Sequence, residues 1–151
     1  MTPNLLRVAV AAVALATLTV ACGDDDSSST ADPAPTTTIP AASVQITSPA
    51  AGATVTSPVK VAMTATGFVI EPAGPPRAGA GHFHVMVDVD CVAPGQPIPV
   101  GAAGYNHYGK AQTEAELELP AGEHRLCLQA GDGAHLALDL TDEVTFVVAG
   151  S

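Results

Sequence analysis

Two histidines stand one residue apart in the run His82-Phe83-His84. On a β-strand alternate side chains leave the same face, so both imidazoles project side by side. Such a pair can chelate a transition metal, and Met86, two residues on, adds a thioether that suits copper. His107 and His135 fall in segments that read as loops, and either can complete a set of three or four ligands for copper or zinc. A rival role for the same rings is to hydrogen-bond loop backbone and order the long connections. If a metal binds, it needs neutral imidazole, so binding should weaken as the pH falls through about 6.5. His124 alternates with Leu126 and Leu128 and reads as a core position beside a turn.

Other chemistry is sparse. No GxSxG or HExxH run occurs, which removes the common hydrolase signatures. Asp88 and Asp90 share one strand face, but acids at a strand end are usually solvated. Glu114, Glu116 and Glu118 read as an exposed sheet face, and Tyr105 and Tyr108 as cover at a rim. No catalytic residue is assigned, and the chain is expected not to be an enzyme.

The elements that must position the histidines occupy only part of the 151 residues. Residues 1–21 read as a signal peptide: Arg7, then an apolar run from Val8 to Val20, then Ala21 before Cys22. The run is shorter than the roughly 20 residues that span a bilayer as a helix. Leu18-Thr19-Val20-Ala21-Cys22 resembles a bacterial lipobox, with Thr19 where leucine is commonest, so Cys22 is the expected lipidation site. Residues 22–42 carry that cysteine and a linker of Asp, Ser, Thr, Pro and Ala. The linker buries too little to repay its ordering entropy and is expected to be disordered. The protein is therefore expected to be exported and lipid-anchored, at the outer face of the cell membrane or in the periplasm. With Cys22 taken, Cys91 and Cys127 remain in an oxidising compartment and are expected to pair, stabilising the fold by roughly 3 kcal/mol. Cys91 shares parity with Val89 while Cys127 opposes Leu126 and Leu128, so a bulge or strand end near Cys91 must reconcile them.

Residues 43–151 read as one all-β domain. Val44 and Ile46 alternate inward before Ser48-Pro49, and Val59, Val61 and Met63 repeat the pattern. The prolines and glycines from Phe68 to Gly81 read as loop. His82 to Asp90 is the strongest strand, with Phe83, Val85, Val87 and Val89 on the core face. Cys91 to Tyr108 reads as a long connection. Thr113 to Leu119 alternates acids out and Ala115, Leu117 and Leu119 in, His124 to Ala130 follows a turn, and Glu143 to Ala149 closes the domain. No apolar 3.6-residue period persists for three turns. Six or seven short strands predict an immunoglobulin-like Greek-key sandwich.

The whole chain has a formal net charge of −10, and the domain carries eleven acids against Lys60, Arg77, Lys110 and Arg125. That surface repels phosphate backbones, so nucleic acid is not an expected partner.

Four segments, GAGHFHVMVD (79–88), GQPIP (95–99), NHYGKAQTEAELELPAGEHRLCL (106–128) and GDGAH (131–135), resemble the bacterial family known as domain of unknown function 4399. The resemblance implies an exported envelope protein and no particular activity. Phe83 and Leu138 stand where family members often carry further histidines, which implies a thinner cluster here. The leading expectation is a membrane-anchored, non-enzymatic binding or interaction module for an unknown protein or small ligand, working through the His82/His84 face. The alternative is a copper- or zinc-binding envelope protein.

Overall fold

A computed structural model describes residues 41–150. The expected leader, Cys22 and linker lie outside those residues, apart from the last two linker positions. The domain is all-β, built from nine strands among the described residues. Strands β1 (Ser43–Ser48), β3 (Val59–Thr66) and β7 (Glu114–Leu117) form one sheet in the order β1-β3-β7. The second sheet has the order β2-β9-β8-β5-β4 and contains β2 (Thr54–Val55), β4 (Val69–Ile70), β5 (Ala80–Val87), β8 (Gly122–Gly131) and β9 (Ala137–Val148). Its sixth strand, β6 (Tyr105–Tyr108), pairs antiparallel with β5.

The two sheets stack as a sandwich because each presents one apolar face. Val44, Ile46, Val59, Val61, Met63 and Leu117 from the first meet Phe83, Val85, Leu126, Leu128, Val144 and Phe146 from the second. With no tryptophan and five Tyr and Phe in the whole chain, this layer is mostly aliphatic. The acids of β7 stay outside, Glu116 in register with Lys60 of β3. Asp142 breaks the apolar run of β9, and its carboxylate accepts the Ile46 N–H at 2.8 Å, fastening β1 to the second sheet.

Several boundaries differ from expectation. The loop from Phe68 to Gly81 contains β4, which pairs parallel with the start of β5 at Ala80 and Gly81. The connection from Cys91 to Tyr108 ends in β6, so His107 sits on a strand rather than in a loop. A four-residue strand flanked by glycines carries too few residues to show a period, and only its pairing partner defines it. Strand β9 begins at Ala137, well before Glu143, and runs past a register shift in β8 between Gln129 and Gly131. The histidine-bearing strand β5 differs in a way that bears on function. It is buried on both faces, not one: on the outer side the rings of His107 and His135 lie against His82 and His84, and the chain from Cys91 to Ile98 runs alongside over β8 and β9.

Candidate metal centre

On β5, Phe83 and Val85 lock into the inter-sheet core and so fix the opposite direction for His82 and His84. Antiparallel register sets His84 directly across from His107 on β6. His82 lies across from Gly131 on β8, and the chain turns back immediately after that glycine to present His135. Asp132 builds this turn: its carboxylate accepts the N–H groups of Ala134 and Leu136, each at 2.9 Å. His135 itself takes a left-handed backbone, φ 68°. Such a conformation is uncommon for a residue with a side chain and here directs the ring back over the sheet.

The four rings converge. All six centroid separations among His82, His84, His107 and His135 lie between 4.7 and 5.7 Å. One nitrogen from each ring can be chosen so that all four lie within 4.8 Å of one another. The Nε2 atoms of His107 and His135 are 3.1 Å apart, so in the metal-free protein one donates a hydrogen bond to the other. That spacing also suits two ligands of one ion, since a tetrahedral centre with bonds of about 2.0–2.1 Å needs nitrogens about 3.3 Å apart.

His82 and His84 are 0% and 1% exposed, and among the described residues neither nitrogen of either ring has a hydrogen-bond partner. An unsatisfied buried polar group costs about 1–3 kcal/mol. Backbone ordering by these two rings is therefore not what the structure contains. Burial pushes the His82 imidazole down to about 4, and His107 and His135 add to the effect. Burial likewise pushes His84 down to about 3, with the other three rings contributing. His107 is also lowered, chiefly by burial and then by His135. His82, His84 and His107 are thus all pushed toward the neutral ring, the protonation state that metal ligation requires.

Sequence reading missed the residues that make room for the rings. A side chain at Gly131 would place its Cβ 2.8 Å from His84 Cε1 and 3.0 Å from its Nδ1. A Cβ at Gly109 would collide with the His107 ring. Both glycines fall inside the quoted family segments, but nothing in one sequence marks them as space for a ring.

Met86 shares the face of His82 and His84 but registers with Cys127 and Tyr105 instead of with a histidine. It stands one pleat repeat, roughly 7 Å, along the strand from His84. Phe83 faces the inter-sheet core and Leu138 packs against it. The loss of histidine at those positions therefore does not thin the cluster, contrary to expectation.

His124 is buried beside Phe146, as its parity suggested. Its Nδ1 donates to the Asp88 carboxylate at 2.8 Å and its Nε2 to the Pro120 carbonyl at 3.0 Å. Asp88 is thereby held, not merely solvated. Asp88 also has φ 59°, which ends β5 and breaks its alternation. That break resolves the parity conflict: Cys91 and Cys127 form a disulfide with Cα atoms 5.7 Å apart.

Residues 61–149 match the family described as domain of unknown function (DUF4399). The chain belongs to that family. No curated protein and no solved structure matches it. Family membership carries no activity, so the functional argument rests on the four rings.

Proposed function

We propose that this domain binds a transition-metal ion, copper or zinc, through His82, His84, His107 and His135. The observation that carries the proposal is the pair of buried imidazoles with no hydrogen-bond partner, aimed at two further histidines from separate elements. An ion satisfies one nitrogen on every ring at once, and hydrogen bonds among the rings cannot do so.

The donor set is four imidazole nitrogens with no thiolate or carboxylate among them. Imidazole suits both zinc and copper, and geometry separates them less than availability does. Four protein ligands leave no vacant tetrahedral position for substrate, which favours holding the ion over reacting at it. The burial of His82 and His84 also disfavours a protein partner working directly on that face, because only a small species can touch the rings. Expected envelope location adds to the proposal. Cys22 is proposed as the lipidated residue, with the chain before it removed and the domain tethered outside the cytoplasm.

The test is metal content of the purified domain, followed by calorimetric titration of the metal-free protein with Zn(II), Cu(II) and Cu(I). The His82→Ala/His84→Ala double variant should lose binding of every ion that the parent binds tightly. Met86→Leu should leave affinity unchanged if the centre is all-nitrogen. If no ion binds the parent more tightly than the double variant, the metal proposal is wrong.

A further inference from the structure

The outer face of the second sheet is covered by a segment whose contacts lead, step by step, from the disulfide to the histidine centre. The segment begins at Cys91, bonded to Cys127 on β8. Next, the Val92 N–H donates to Gln129 Oε1 at 2.9 Å, and Gln129 Nε2 donates to the Val92 carbonyl at 2.7 Å. Gln129 is buried and also reaches the Leu138 carbonyl at 3.1 Å, so its amide is committed to this clamp. Gly95 N–H then donates to the Ala137 carbonyl at 2.8 Å and Ala137 N–H to the Gln96 carbonyl at 2.9 Å. Finally, Ile98 N–H donates to the carbonyl of His135 at 2.8 Å. The Ile98 side chain is buried, with Cδ1 3.3 Å from where a Cβ at Gly131 would stand, beside the His84 ring.

We propose that Cys91–Ile98 is a strap that positions His135 over the centre, and that the Cys91–Cys127 disulfide makes metal affinity depend on thiol redox state. The proposal rests on the reading of the four histidines as a metal site. His82 and His84 are fixed by the core, whereas His135 rides on a turn of uncommon backbone conformation, braced within by Asp132 and given support from outside by the strap. Ile98 supplies that support at His135 itself, and the disulfide closes the far end of the strap.

Reduction by a dithiol is chemically direct. Cys127 is buried and Cys91 half-buried, so the reductant's thiolate attacks Cys91 Sγ and Cys127 leaves as a thiolate that takes up a proton. The second thiol of the reductant then displaces Cys91. Two electrons and two protons pass to the protein, and the reductant leaves as a disulfide. The strap afterwards keeps its hydrogen bonds and the buried Ile98, and Gln129 becomes its main fastening at the disulfide end.

Zinc is the probe, because copper would oxidise free thiols. The reduced state is represented by Cys91→Ser/Cys127→Ala, since freed thiolates would themselves ligate zinc. Loss of a supporting partner around a metal ligand costs about 10–100-fold in affinity, and that weakening is expected in the double variant. Gln129→Met, which keeps the disulfide, should weaken zinc binding in the same direction. Val44→Ala, which destabilises the fold at β1 in the first sheet, away from the strap, should leave zinc affinity unchanged. In the metal-free double variant the amides of Ile98 and Ala137 should exchange hydrogen at least about tenfold faster than in the parent, as local opening without the clamp requires. Wild-type zinc affinity in a folded cysteine variant overturns the proposal, as does unchanged exchange at both amides. Should that variant fail to fold, wild-type affinity in Gln129→Met overturns it instead. A parent that binds no zinc, copper(II) or copper(I) at all sinks the metal reading itself, a result distinct from a parent that binds and a variant that binds equally.

Discussion

Replacing Gly131 with alanine tests the centre without removing a ligand. The new methyl carbon would stand 2.8 Å from His84 Cε1, 3.0 Å from Nδ1 and 3.3 Å from Ile98 Cδ1. Comfortable carbon contacts begin near 3.5 Å, so the imidazole must retreat by about 0.7 Å. Metal–ligand distances tolerate about 0.2 Å. His84 therefore either leaves the ion or drags it away from the other rings, and we expect about 10–100-fold weaker zinc binding, or about 1.4–2.8 kcal/mol. The fold should suffer less. Overpacking costs about 1–3 kcal/mol, but the yielding group is a ring in a cluster, and alanine regains about 0.4–1 kcal/mol by restricting the unfolded chain. The prediction is thus a loss of affinity out of proportion to the loss of stability. It is read by zinc calorimetry beside thermal melting of the metal-free protein. Wild-type affinity in Gly131→Ala, with affinity lost in His84→Ala, would refute the placement of the ring over that glycine.

Other predictions concern pH and location. The metal-free domain should be most stable near neutrality. His82 and His84 are lowered to about 4 and 3, so the unfolded chain binds protons that the folded one refuses, and stability falls as pH drops from about 6.5 toward those values. Melting curves of the His82→Ala/His84→Ala variant should show a flatter acid limb; an unchanged limb would contradict the assignment. His124 behaves oppositely: its hydrogen bond to Asp88 raises it, so its contribution is full below about 6.5 and fades as pH rises through the raised value. His124→Gln should remove that alkaline decline, measured in the same melts. In zinc titrations across pH 5 to 7, at most two protons should be displaced, because two of the four imidazoles are already neutral there. Four displaced protons would mean that burial does not govern the site. Finally, Cys22→Ser should move the protein from the membrane fraction to the soluble one or leave the precursor unprocessed, followed by fractionation and N-terminal mass; an unmodified mature terminus beyond Cys22 would refute the anchor.

Strand alternation made much of this fold legible. Phe83 and Val85 against His82 and His84 could be sorted by parity, because a strand offers only two faces and one must be apolar. The same rule assigned the acids of β7 outward and placed His124 inward. What parity cannot supply is which distant segments lie over a face. His107 and His135 are legible in the sequence only as loop histidines able to complete a ligand set, and their approach to β5 comes from pairing with β6 and from the turn built by Asp132. Those are long-range consequences of register, to which a local pattern is blind. For His82 and His84 the change expected through pH 6.5 lies lower, because burial disfavours their charged forms. The Cys91–Ile98 segment lies over β8 and β9 beside the cluster, and its two prolines and Gly95 conceal that it covers anything.

The two histidine environments in this domain show how one residue type is driven to opposite ends by its partners. His124 faces a carboxylate and a carbonyl, both acceptors, so both ring nitrogens donate and the cation is favoured. His82 and His84 face other imidazoles and apolar side chains, with no acceptor in reach, so the neutral ring is favoured. Histidine is a poor choice for a dry sheet face if packing is all that is required, because Leu or Phe fills similar volume without orphaned nitrogens. Two such residues, opposed by two more that reach them from an edge strand and a strained turn, concentrate an unmet demand for a partner at one point. Neutral nitrogen lone pairs turned toward one another repel, and a cation converts that repulsion into ligation. The arrangement that costs the metal-free fold most is therefore the one that an ion stabilises most.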